Sequence, residues 1–142
     1  MPSLSLRRAR TIIRKTLEKG REAEMKPLSV VVLDPGGHVK AFEREDGASP
    51  GRFEIARAKA YGSVMLGMGG TAQNARAEEQ PYFVTAVNGA FGGRVIPVKG
   101  GVLVRDAKGR VLGAVGVTGD SSDNDAIAAT AGIEAVGLVA EI

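Results

Sequence analysis

The sequence contains no cysteine, so disulfides, thiolate metal sites and thiol catalysis are excluded from the outset. Tryptophan is also absent, and aromatic residues make up only 4% of the chain. A core must therefore be assembled from Val, Ala, Leu and Ile, with 20 glycines permitting close packing. A single histidine among 142 residues leaves no imidazole cluster for zinc, and no metal site is expected. No apolar run approaches the roughly 18 residues of a membrane span. The N-terminal stretch has no secretory apolar region, which points to a cytoplasmic protein without a membrane partner.

What is present reads as one domain over residues 1–142, with 44% hydrophobic and 25% charged residues. The net charge of +3 conceals an asymmetry: residues 1–26 carry eight Lys/Arg against three Glu, and residues 119–142 carry five Asp/Glu and no Lys/Arg. A basic first helix without stacking aromatics or a recognition-helix motif makes nucleic acid an unfavoured partner. A solvated helix face, or a complement to an acidic surface on a second copy, accounts for it better.

Periodicity predicts a helix over Ser5–Glu24, with Leu6, Ala9, Ile13 and Leu17 on one stripe. A buried strand at Leu28–Leu33 meets a second strand at His38–Arg44 through the turn Asp34-Pro35-Gly36-Gly37. Ser49-Pro50 predicts the cap and first residue of a helix reaching Leu66, with Phe53, Ala56, Ala60 and Val64 facing inward. Thr71 caps a short helix through Glu79, and Tyr82–Ala90 has no assigned structure. Strands at Gly101–Arg105 and Arg110–Thr118 form a second hairpin. An Ala-rich helix follows over Asp123–Val139, with Ile127, Ala131, Ala135 and Leu138 along one side. Two hairpins separated by helices define an α+β fold on an antiparallel sheet.

The densest signal for function runs from Gly92 to Gly132. Paired glycines precede a strand, and an acidic cluster opens a helix after the next one. Glycines at strand ends let backbone and ligand approach closely, and helix N-termini attract anions. Gly100, Gly101 and Gly119 are therefore candidate backbone contacts for acid groups. Lys59 and Arg94 are candidate anchors for a carboxylate. Imidazole is the side chain best suited to move a proton near neutrality, so His38 is the candidate catalytic residue, although at the mouth of a tight turn it also suits a hydrogen bond to the loop. Asp120, Asp123 and Asp125 lack the Gly and Glu of a calcium loop and read as helix capping.

The segments VVVLDPGGHVKAFEREDGA, EIARAKAYGS, VKGGVLV and VLGAVGVTGDSSDNDAIAATAG, with the basic first helix, resemble the GlcG/HbpS family. That family includes the C-terminal domain of PduO-type proteins, and the resemblance spans about residues 4–140. It implies a profilin-like fold: a five-stranded antiparallel sheet flanked by helices, assembling as a homo-oligomer. It also implies a small-molecule groove between the middle helix and the glycine-rich hairpin, with haem as the candidate cofactor; His38, Tyr61, Met65, Met68 and Tyr82 would then be chemically suitable iron ligands, though each also suits a structural role. Lys59, Gly100-Gly101, Gly119, Asp125 and His38 match recurrent family positions. The chain departs from the family in having Leu103 where many members have Pro, in its longer Arg105–Gly109 turn, and in lacking a histidine on the first helix. An alternative is a lyase or isomerase acting on a small aromatic or hydroxy acid. A purely structural assembly partner is the third reading.

Overall fold

A computed structural model describes residues 2–142. Helix α1 (Leu6–Glu22) begins where the Ser5 hydroxyl accepts the amide of Arg8 at 3.2 Å. Its buried stripe is Ala9, Ile12, Ile13, Thr16, Leu17 and Gly20. Leu6, expected on that stripe, is half exposed, because the inward face begins one turn later.

Strand β1 (Ser29–Leu33) is buried throughout and turns back into β2 (Val39–Arg44). The Asp34 carboxylate makes this turn by accepting the amides of Gly36 and His38 at 2.9 and 3.0 Å, while Gly37 takes φ +85°. Helix α2 (Arg52–Leu66) is capped by Gly51 rather than Ser49, and the left-handed Gly67 ends it. Ser49 forms a turn instead, its carbonyl accepting the amide of Arg52. Helix α3 (Gly70–Glu79) starts at Gly69, ahead of the expected Thr71 cap. The unassigned segment is helix α4 (Pro81–Ala90), with proline in its first turn, where a missing N–H costs nothing.

Strands β3 (Gly101–Arg105) and β4 (Val111–Thr118) form the second hairpin. Helix α5 (Ser122–Ala135) is shorter than its sequence period suggests. Gly137 at φ +76° breaks the run, and Val139–Glu141 becomes β5 on the edge beside β3. The α5 residues facing inward are Ala126, Ala128, Ala129, Gly132 and Ile133, whereas Ile127 is half exposed.

The sheet is antiparallel in the order β2-β1-β4-β3-β5, so β1 and β4 lie at its centre with β3. Alternation along each strand sends side chains to two separate cores. Val30, Val32, Val102, Val104, Val115 and Val117 meet Ile12, Ile13 and Ile133 under the α1/α5 layer. Val31, Leu33, Leu103 and Ala114 meet Ala56, Ala60, Tyr61 and Val95 under α2. The fold is thus the expected profilin-like α+β arrangement, with α2 the main helix against the face that carries the candidate site.

Candidate functional site

Helix α2 has two working faces. Towards the sheet it presents Ala56, Lys59, Ala60 and Ser63, all buried. The Lys59 ammonium donates to the carbonyl of Val117 at 3.0 Å and to Asp125 Oδ2 at 3.1 Å. The other Asp125 oxygen accepts the amide of Asp120 at 3.0 Å. Both side chains are sealed, with 4% and 2% of their surface exposed. Burial pushes the Lys59 pKa down and the Asp125 pKa up, and the attraction between the two charges opposes each shift. This pair joins α2, the end of β4 and the start of α5.

Gly100 and Gly101 lie against the same lysine. A Cβ on Gly100 would come 2.8 Å from Lys59 Nζ, and one on Gly101 would come 2.7 Å from Ser63 Oγ and collide with the carbonyl of Lys59. Gly116 faces the carbonyl of Ala56 in the same way. Gly119, at φ +144°, faces the backbone of Pro27 and Leu28 instead. The glycines that suggest a ligand cradle in the sequence are therefore filled by α2 and by the β1 approach. Lys59, Gly100, Gly101 and Asp125 come together in a closed joint and not in an open groove.

The open surface lies on the outward stripe of α2. A groove of about 270 Å³ is lined there by Glu54, Ile55, Arg57 and Ala58, and across from them by Gly93, Arg94 and Ile96. The segment after α4 reaches over the helix because Gly92 and Gly93 take φ +66° and +78°. The Asn88 side chain accepts the Val95 amide at 3.0 Å, and the Ala58 carbonyl accepts the Ile96 amide at 3.3 Å. Arg94 is held by its Nε donating to the Phe91 carbonyl at 2.8 Å, and its guanidinium lies 4.6 Å from the centre of the Tyr61 ring. Phe91 packs edge-on to the same ring at 6.0 Å. Arg57 and Arg94 form no ion pair among the described residues, so two unpaired guanidinium groups face one groove, with Glu54 as its single lining carboxylate.

Arg94 is thus the one sequence-derived anchor on the open groove. Arg57, Tyr61 and Phe91 complete its setting. Arg57 lies one turn before Tyr61 on α2, a spacing that would have identified it once Tyr61 was placed in the site.

His38 stands apart, with 80% of its side chain exposed and its Nδ1 3.3 Å from Asp34 Oδ1. Burial slightly opposes ionisation of Asp34, but the His38 and Gly36 amides and the imidazole outweigh it and lower the carboxyl pKa. The turn itself adjoins α2: a Cβ on Gly37 would meet Met65 Cε at 2.9 Å and Tyr61 at 3.2 Å. Met68 lines a different crevice, and Tyr82 is 70% exposed on α4. Asp120 and Asp123 face Lys26 and Lys99, and no group of three or more potential metal ligands exists among the described residues.

A five-stranded antiparallel sheet with helices on both faces, and a groove carrying two arginines beside α2, defines a small α+β domain. The chain belongs to the family described as haem-degrading HbpS-like proteins, which matches residues 4–134. A PduOC–heme complex superposes with a TM-score of 0.86 at 21% identity, over 99% of both chains. A double mutant of HbpS from Streptomyces reticuli gives 0.82 at 26% identity, covering 96% of this chain and 89% of that one. Klebsiella pneumoniae protein ORFY gives 0.84 at 24% identity, covering 96% and 92%. No curated protein sequence matches the chain significantly. No described helix is long and apolar enough to cross a membrane.

Proposed function

We propose that the protein binds a small planar carboxylate in the α2 groove, with Arg94 and Arg57 as the acid-binding groups. The observation that carries this reading is the Arg94 guanidinium, fixed over Tyr61 by the Phe91 carbonyl and left without an acidic partner. A guanidinium whose Nε is already tied still offers its terminal nitrogens as a fork to a carboxylate. Ile55, Ala58 and Ile96 supply the apolar contact beside it.

Haem is the ligand that the family description and the PduOC complex suggest. The residues fit its chemistry in two respects. Arg57 and Arg94 suit its propionates, and Tyr61 and Met65, both against Gly37, place phenol and thioether donors on the same helix. At about 270 Å³ the groove is smaller than the roughly 300–1,000 Å³ of sites that enclose drug-sized ligands, so it suits the acid-bearing edge of a macrocycle. Bound haem would supply iron-centred redox chemistry. Arg57 and Arg94 would hold its acid groups, and Ile55, Ala58 and Ile96 would supply the apolar contact beside them. Lys59 and Asp125 serve by fixing α2 against the sheet, which sets the position of the groove.

Titration of the metal-free protein with hemin tests the reading through a saturable Soret shift. Arg94→Gln is expected to weaken binding about tenfold or more, the worth of a charge-assisted hydrogen bond. Iron-free protoporphyrin separates the two contributions, because it retains the propionates and lacks the metal. If neither porphyrin saturates the protein, or if Arg94→Gln binds both as the parent does, the groove assignment is wrong.

A further inference from the structure

A second concavity lies on the other side of the Gly93–Pro97 segment. It is a crevice of about 130 Å³ between the end of α2, α3 and α4, with Leu66, Met68, Phe83, Val84, Val87, Val95 and Pro97 among its lining residues. Its polar members are Gln73 and Arg76. Gln73 is buried, and its amide nitrogen bonds the Met68 carbonyl at 2.8 Å, which fixes that wall. The Arg76 guanidinium lies 4.0 Å from the centre of the Phe83 ring, and its Nε donates to Gln80 Oε1. Arg76 forms no ion pair among the described residues.

The outer wall of this crevice is unusual for so apolar a helix. None of the residues of α4 is buried, and among helices and strands α4 packs only on α3. Phe83, Val84 and Val87 therefore line a space that the protein's own side chains do not fill. A dry apolar cavity of about 150 Å³ accepts one benzene-sized molecule. The present volume matches a single compact hydrocarbon unit, and the unpaired guanidinium adds a preference for negative charge.

We infer that the crevice between α4 and α2 is a second ligand site, which takes a compact apolar carboxylate with its hydrocarbon against Val84 and Val87 and its acid group on Arg76. This site is separate from the α2 groove. Along the extended segment between them, Arg94 and Ile96 face the groove while Val95 and Pro97 face the crevice.

Methyl-resolved NMR of the whole protein, titrated with cyclohexanecarboxylate, tests the inference. Saturable shifts are expected at Met68, Val84 and Val87, with Ile55 and Ile96 unmoved. Arg76→Gln should weaken binding about tenfold or more, while Arg94→Gln leaves it unchanged. Val87→Phe should abolish it by filling the crevice, and the unchanged Ile55 and Ile96 signals report that this variant remains folded. The uncharged analogue cyclohexanemethanol should bind more weakly than the acid. The inference is overturned if the acid produces no saturable shift into the millimolar range, or if Arg76→Gln binds as the parent does. It is also overturned if the crevice methyls shift with protein concentration alone, since the occupant would then be a second copy of the chain.

Discussion

Replacing Lys59 by methionine keeps most of the side-chain volume and removes the charge from a joint that three elements share. The ammonium contacts only the Val117 carbonyl and Asp125, and both charged side chains are sealed from solvent. Without it, Asp125 retains the Asp120 amide and loses its counter-charge. Removing one partner of a buried ion pair costs about 3–5 kcal/mol. For 142 residues the unfolding entropy near the midpoint is about 0.3 kcal/mol/K, so the melting temperature should fall by roughly 10–17 °C. The sign of the pH dependence follows from Asp125. Burial already raises its pKa above 3.8, and loss of Lys59 removes an opposing attraction. A carboxyl with a raised folded pKa contributes stability below its unfolded pKa and loses it as pH rises through the folded value. The deficit of Lys59→Met should therefore be small below pH 3.8 and full at neutrality. Thermal and urea unfolding across that range measure it. Lys59→Met combined with Asp125→Leu should regain most of the loss, because apolar replacement of both partners leaves no buried charge. A single variant within about 1 kcal/mol of the parent at neutral pH, or an equal deficit at every pH, would refute the reasoning.

Three further outcomes follow from the same geometry. Gly116→Ala places a methyl group against the Ala56 carbonyl, a backbone atom that cannot swing aside, and should cost about 2–3 kcal/mol by urea unfolding. Asp120 accepts the Lys26 amide and the Asn124 side chain, which hold its pKa at about 2. Its contribution is present above 3.8 and lost as pH falls through about 2, so the Lys26 amide resonance should titrate near the lower value in the parent and not in Asp120→Asn. A midpoint near 3.8 would contradict the hydrogen bonds. His38→Ala should leave stability within about 0.5 kcal/mol by the same urea assay, because the imidazole is largely exposed and the turn is closed by the backbone of Gly36 and His38.

Local chemistry made both hairpins legible in the sequence. Asp34-Pro35-Gly36-Gly37 has the side chain and the φ freedom that a turn needs, and the structure uses both. The end of α5 is not legible, because apolar residues continue past Ala135 and only Gly137 marks the break. Edge strand β5 has three residues and is defined by its pairing with β3, a contact far away in sequence. The inward face of α5 differs from its sequence period for a related reason. Gly132 lets Thr16 and the backbone of Ile12 approach, and this small-residue contact with α1 outranks the larger Ile127.

Contacts distant in sequence also decide what the glycine-rich stretch packs against. A bare glycine on a strand announces that something approaches the backbone, but not what approaches. Here the approaching group at Gly101 and Gly116 is α2 itself, whose carbonyls at Lys59 and Ala56 occupy the space a side chain would need. That close approach has a consequence on the opposite face. Because the sheet-facing stripe of α2 is spent on Ala56, Lys59, Ala60 and Ser63, its outward stripe must be covered by another segment, and Gly92–Pro97 only partly covers it. Tyr61 is buried under Phe91 and Arg94, while Glu54, Arg57 and Ala58 keep one side open. The glycines set the depth of α2, and the side chains that this depth leaves uncovered include Arg57, which faces Arg94 across the groove.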